Sequence, residues 1–227
     1  MRVWQVLGVL TALSVSAQAD VLYDNITGVT SENSVAIYND GSSGGPIYNS
    51  FSTGTFAGSL TNVEVMLGFP LPDPPATISI DVTLYGDSLS DNPDLSTATS
   101  LGTIAFTGAA GAYTASLTAN PLLSANTRYW IGLSTTQTTG SVLTDPGWSF
   151  GQATDGFSIA GGPGVSNEFT AIGTNSSSAN SSSTIAFQMI VDGTAAVPEP
   201  SPFIPFAAIL GLLGLVAADR RRGQVQE

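Results

Sequence analysis

Thr77-Ile78-Ser79-Ile80-Asp81-Val82-Thr83-Leu84-Tyr85 is the stretch that decides the fold class. Ile78, Ile80, Val82 and Leu84 alternate with Thr77, Ser79, Asp81, Thr83 and Tyr85. Successive side chains of an extended chain point to opposite faces, so this alternation predicts a strand with one apolar and one solvated face. Leu60 to Phe69 repeats the pattern, with Val63, Val65 and Leu67 opposite Glu64 and Met66. Pro70 and Pro72 end it, because proline has no amide hydrogen to give to a ladder. The segment Pro70-Leu71-Pro72-Asp73-Pro74-Pro75 is too proline-rich for a tight hairpin and reads as a longer surface connection.

Working outward, further strands are expected at Val35 to Tyr38, Tyr48 to Thr53, Leu101 to Phe106, Tyr113 to Leu117, Tyr129 to Leu133 and Thr184 to Val191. Gly, Asn, Asp and Pro punctuate them, and no stretch between them keeps a helical period. Eight to ten short strands with turns between them predict an all-β domain, an antiparallel β-sandwich of jelly-roll-like kind. A β-barrel is the alternative, since periodicity does not fix strand order. Asn175 to Ser183 is Ser/Asn-rich, has no apolar area to bury and reads as a loop.

Charge and composition narrow the chemistry. The 227 residues carry a net charge of −12, with no His and no Cys. The five basic residues are Arg2, Arg128, Arg220, Arg221 and Arg222, so Lys is absent. An acidic surface of this kind repels phosphate backbones and excludes nucleic-acid binding. Without His, Cys or Lys, the chain cannot build Ser-His-Asp triads, His or Cys metal sites, thiolate nucleophiles or Schiff bases. Carboxylate pairs remain available for glycoside hydrolysis, Glu64 and Glu168 among them, but sequence spacing does not give their separation. No cofactor is expected, and the expected class is non-catalytic.

Both ends read as addresses. Met1-Arg2 is a positive n-region, Val3 to Val15 an apolar h-region, and Ala17-Gln18-Ala19 the small-residue pattern that precedes cleavage before Asp20. Residues 1–19 are therefore read as a signal peptide and residues 20–193 as the β-sandwich domain. Residues 194–202 read as a Pro-rich linker, because the prolines of Val197-Pro198-Glu199-Pro200-Ser201-Pro202 stop both helix and central strand. Residues 203–219 read as a short hydrophobic membrane helix whose uncharged part, Phe203 to Ala218, spans about 24 Å at about 1.5 Å per residue. Residues 220–227 form a basic end held on the cytoplasmic side by Arg220, Arg221 and Arg222. The domain would then lie outside the cytoplasm, whether the tail is cut or kept as an anchor.

The order Pro198-Glu199-Pro200, apolar segment, Arg cluster resembles the PEP-CTERM sorting domain. That resemblance implies handling by an exosortase, an integral-membrane transpeptidase of exopolysaccharide-producing Gram-negative bacteria, after signal peptidase has acted at the front. A second resemblance rests on Asp24-Asn25 and on Leu123-Ser124-Ala125-Asn126-Thr127-Arg128-Tyr129-Trp130-Ile131-Gly132-Leu133, which look like the choice-of-anchor β-domains of R type. It implies a surface module of unassigned activity. The functional expectation is an exported envelope or matrix protein, structural or adhesive in an exopolysaccharide or biofilm context. The alternative is a carbohydrate- or calcium-binding recognition module.

Candidate ligand residues inside the domain are few. Asp87, Asp91, Asn92 and Asp94 form an oxygen-rich stretch of the kind a calcium ion can use, although Asp and Asn equally make turns. Trp130, Trp148, Tyr85 and Tyr113 offer flat faces for sugar rings, with core packing the ordinary alternative. Trp148, within Thr144-Asp145-Pro146-Gly147-Trp148-Ser149, is the candidate ligand contact because its context is loop-like. Arg128 reads equally as the partner of a carboxylate ligand, as the partner of one of many nearby acids or as relief of the domain's self-repulsion, and no site is assigned from it. Asn25, Asn175 and Asn180 open glycosylation sequons that chance explains in a chain this rich in Asn, Ser and Thr.

Overall fold

The computed structural model describes residues 19–38, 45–68, 77–88, 92–136, 145–151, 168–173 and 186–196. Residues 1–18 of the expected signal peptide, the expected tail from residue 197, the stretches 175–183 and 70–75 read from sequence as a loop and a connection, and Asp91 lie outside these. The described residues form an antiparallel β-sandwich. Its strands in chain order are β1 (Ala19–Asp24), β2 (Ser31–Ala36), β3 (Ile47–Ser52), β4 (Gly58–Gly68), β5 (Ile78–Asp87), β6 (Pro93–Phe106) and β7 (Gly111–Thr114). There follow β8 (Ser116–Leu117), β9 (Leu122–Leu123), β10 (Arg128–Thr135), β11 (Gly147–Gly151), β12 (Thr170–Ile172), β13 (Ala186–Phe187) and β14 (Met189–Ala195). Among the described residues no helix is long and apolar enough to cross a membrane. The expected helix at 203–219 lies outside them.

One sheet runs β1-β14-β4-β11-β13, with β2 on β11 and both β7 and β9 on β4. The other runs β12-β3-β10-β5-β6-β8. The alternations in β4 and β5 supply the inner faces. Val63, Val65 and Leu67 from β4 meet Ile80, Val82 and Leu84 from β5 in one core that also holds Tyr23, Phe51, Ile131, Leu133, Trp148 and Phe187. Burying each such side chain contributes about 1.5–3 kcal/mol, which is what fixes the register of both sheets.

Several expected strands are cut or extended, each for a local reason. The strand expected at Tyr113 to Leu117 is two, because the chain crosses between the sheets at buried Ala115: β7 pairs with β4 and β8 with β6. Alternation persists through such a crossing and does not mark it. The last strand is interrupted at Gln188, whose backbone leaves the ladder to serve β11 and β4: its N–H donates to Ser149 O and its carbonyl accepts from Met66 N. The stretch read as loop around Trp148 is β11, paired with β2, β4 and β13. Strand β14 continues four residues past the strand end expected at Val191 and two past the domain boundary expected at residue 193, with Thr194 and Ala195 paired to Ser59 and Gly58. Gly102, at φ 147°, lets β8 approach β6; a Cβ there would stand 2.0 Å from Ser116 O.

Candidate functional site

Polar side chains converge in two places, one inside the sandwich and one on the outer face of the six-stranded sheet. The outer group starts from the turn before β10. Asn126 adopts φ 52°, a left-handed conformation that Asn tolerates better than most residues. Thr53 braces this turn by donating from Oγ1 to Ser124 O at 2.7 Å, while its oxygen accepts from Thr127 N at 3.1 Å. Ser124 N donates to the Tyr129 hydroxyl at 2.9 Å, and buried Leu123 anchors the turn to the core. The Leu-x-Ala-x-x-x-Tyr-Trp stretch is thus a device for launching β10 with a set phase. Ile131 and Leu133 face inward, and Arg128, Trp130 and Gly132 face out.

Arg128 stands between two carboxylates: its Nη1 is 3.7 Å from Asp87 Oδ2 on β5 and its Nε is 3.4 Å from Glu168 Oε2 just before β12. The guanidinium lies 4.5 Å from the centre of the Phe169 ring, a cation–π contact. Asp87 Oδ1 also accepts from Trp130 Nε1 at 2.7 Å. Glu168 accepts from the Ser50 hydroxyl, and the same oxygen of Ser50 accepts from Phe169 N at 2.7 Å. Burial pushes the Glu168 carboxyl above the usual carboxylate range. Hydrogen bonds from Ser50 and Ser52 and the charge of Arg128 offset part of that shift, and the negative charge of Asp87 adds to it.

Beside this group lies a small second core of Tyr48, Trp130 and Ala171, edged by Tyr85, Leu95 and Phe169. Gly132 makes it possible, since a Cβ there would come within 2.7 Å of Tyr85 and 2.8 Å of Tyr48. The two tyrosines meet edge to face, with centroids 5.4 Å apart. Chemically the assembly neutralises the domain's single cation with two acids and fastens the residues around β12 to the sheet. Sequence reading proposed an acidic partner for Arg128 without identifying it, because Asp87 and Glu168 lie far away in the chain and only the pairing of β3, β5, β10 and β12 unites them.

The inner group is an amide seam. Asn25, fully buried, donates from Nδ2 to Ala186 O at 3.3 Å and accepts at Oδ1 from Met189 N at 2.8 Å, spanning the gap at Gln188. Gln188 Nε2 returns a bond to Asn25 O at 3.2 Å, and Asn49 Oδ1 ties β3 to β13 by accepting from Phe187 N at 2.9 Å. Asp24 turns its Oδ1 to the amides of Ile26 and Thr27. Burial raises its pKa, but those bonds more than offset this and leave it below the ordinary value. Asn25 is therefore closed to glycosylation.

Trp148 is set aside as a ligand contact. It is 0% exposed, stacks on Phe187 at 4.9 Å between centroids and donates from Nε1 to Gln188 O at 2.9 Å. Trp130 is equally buried, Tyr85 is half-buried, and Tyr113 is half-buried with its hydroxyl donating to Ala109 O. Of the calcium candidates, Asp87 is engaged by Trp130 and Arg128, while half-buried Asp94 accepts from Ser96 N and Oγ. Asp87 and Asp94 thus serve different partners, Asn92 is buried, and no cluster of three potential metal ligands occurs among the described residues. Glu64 lies on β4 in the sheet opposite β12, so the carboxylate that joins Glu168 is Asp87.

Ala17 lies outside the described residues, while Ala19 and Asp20 open β1, paired with Thr194 and Gly193. An open cavity of about 550 Å³ at that end is lined by Asp20, Val21, Leu22, Thr53, Phe56 and Ala195, among others. Pro198, Glu199, Pro200 and Arg220 to Arg222 lie outside the described residues. The chain matches no family model and no curated protein.

Proposed function

We propose that this chain is an exported, non-catalytic protein of the cell envelope or extracellular matrix of a Gram-negative bacterium, sorted through a PEP-CTERM tail and structural or adhesive in an exopolysaccharide setting. The observation that carries the reading is the order of three signals at the C-terminus: Pro198-Glu199-Pro200, the apolar run from Phe203 to Ala218, and Arg220-Arg221-Arg222. A signal-peptide pattern ending at Ala19 supports it from the other end. Its partners are signal peptidase, an exosortase-type transpeptidase, the membrane that holds the tail during sorting, and extracellular polysaccharide.

The finer fold reading is jelly-roll-like. It is supported by the way the chain passes from sheet to sheet at β3–β4, β4–β5 and each step from β6 to β12. The absence of His, Cys and Lys supports a non-catalytic role, since it removes most nucleophile and metal chemistries at the level of composition.

The test replaces Glu199 with Gln and, separately, deletes Arg220 to Arg222 in a host with an active exosortase. Both variants are expected to accumulate as unprocessed, poorly retained precursor. Processing and retention unchanged in both would remove the sorting reading.

A further inference from the structure

Both ends of the domain leave the sandwich at one place. Strand β1 opens at Ala19, β14 closes at Ala195, and their antiparallel pairing sets Ala19 against Thr194. The same row continues through Ser59 of β4 to Leu122 of β9, so Ala19, Thr194, Ser59 and Leu122 stand side by side across four strands. At about 4.8 Å between neighbouring strands the row is about 14 Å wide. It lies on the outer face of its sheet, because Leu60 and Leu123, the next residues after Ser59 and Leu122, point into the core.

Leu122 is 77% exposed and Val21, two residues along β1 from the row, is 49% exposed; they are the two exposed large apolar side chains among the described residues. Exposed apolar side chains scattered singly are ordinary, but both of these fall at the end from which the chain departs. No member of the row is charged, and the hydroxyls of Thr194 and Ser59 separate Ala19 from Leu122. Asp20 alternates to the opposite face, where it lines the open cavity. In the row behind, Asp192 stands between Val21 and Asn62 and accepts from Asn62 Nδ2 at 3.0 Å.

We propose that this row, with Val21 behind it, is a membrane-contact surface that rests on zwitterionic lipid while the tail holds the chain. The proposal rests on the reading of Phe203 to Ala218 as a membrane segment. Seven residues, 196–202, separate β14 from that run, and fully extended they reach about 25 Å at most. The end of the sandwich that carries the row is therefore tethered within about 25 Å of the bilayer. Apolar side chains for the acyl boundary, hydroxyls for the headgroups and no charge to desolvate suit the row to that neighbour. The net charge of −12 repels anionic headgroups and leaves zwitterionic ones as the match. A cut before Asp20 removes Ala19 and leaves Val21, Thr194, Ser59 and Leu122 in place.

Because the chain has no cysteine, a single dye can be placed at will. Leu122→Cys carries it on the row, and Ala112→Cys, opposite Met66 toward the far end of β4, carries the same dye as reference. Both positions are exposed, so neither label displaces the core. Seven residues of β4 separate their partners Ser59 and Met66, about 24 Å at about 3.4 Å per residue. The full chain is placed in phosphatidylcholine nanodiscs whose headgroups bear a spin label. The dye at position 122 is expected to lose most of its fluorescence and the dye at position 112 almost none. A chain that fails to enter the nanodisc removes the tail reading and this proposal with it. A chain that enters with the dye at 122 unquenched, whether bare or covered by a second copy, or with the dye at 112 quenched as strongly, overturns the contact surface and leaves the tail reading standing.

Discussion

Replacing Asn25 with Ala removes a side chain that joins β1 to the interrupted last strand. Asn25 is 0% exposed, and truncation leaves Met189 N and Ala186 O, both inside the sandwich, without the partners they have at 2.8 and 3.3 Å. Each buried group so abandoned costs about 1–3 kcal/mol, so the loss should be about 2–6 kcal/mol. That is a large share of the roughly 5–15 kcal/mol that holds a domain together. With a urea dependence of about 1–3 kcal/mol per molar, the unfolding midpoint should fall by at least about 0.7 M. Asn25→Asp separates the two bonds: the carboxylate still accepts from Met189 N but sets a negative charge against Ala186 O. Protonation supplies a hydroxyl that donates there, so the Asp variant should regain stability as pH falls. Urea titrations of wild type, Asn25→Ala and Asn25→Asp at pH 5 and pH 8 make the comparison. A loss below about 0.5 kcal/mol for Ala, within the usual range of surface substitutions, or an Asp variant indifferent to pH, would refute the seam.

Arg128→Met should destabilise by about 3 kcal/mol, the lower end for a broken buried pair because the guanidinium is 22% exposed. Adding Glu168→Gln should recover most of that loss, and chemical denaturation of the single and double variants measures the coupling. Gly102→Ala should cost at least about 1 kcal/mol and free β8 from β6, seen as loss of exchange protection at Thr118 N, which donates to Leu101 O at 2.7 Å. Trp148→Ala should cost about 3–5 kcal/mol in thermal or urea unfolding. Any sugar binding by the folded domain should survive a milder Trp148→Phe change, as calorimetric titration would show.

The parts of the fold legible in advance were those where one face of a strand is dry and the other wet. Leu60 to Phe69 and Thr77 to Tyr85 declared their inner faces because alternating burial is a local property. Strand β11 did not, because Asp145-Pro146-Gly147 is a turn signal immediately before it and because only the pairing of β2, β4 and β13 makes Gly147–Gly151 a strand. The exposed run Ser96 to Ser100 of β6 was also missed, having no apolar alternation and being held by its backbone pairing with β5. Arg128 was recognisable as the domain's lone cation, but its partners come from β5 and the residue ahead of β12, a meeting that tertiary pairing alone arranges. Asn25 stood out only as part of a resemblance and as the head of a sequon, and its role depends on a gap in the sheet at Gln188 that no local pattern marks.

Mass spectrometry of both termini of the protein recovered from its own host tests the account at its centre. The account predicts a chain that begins at Asp20 and has lost the apolar segment and the Arg cluster beyond the Pro-Glu-Pro motif. An intact polypeptide from Met1 to Glu227, recovered from the cytosol, would contradict it.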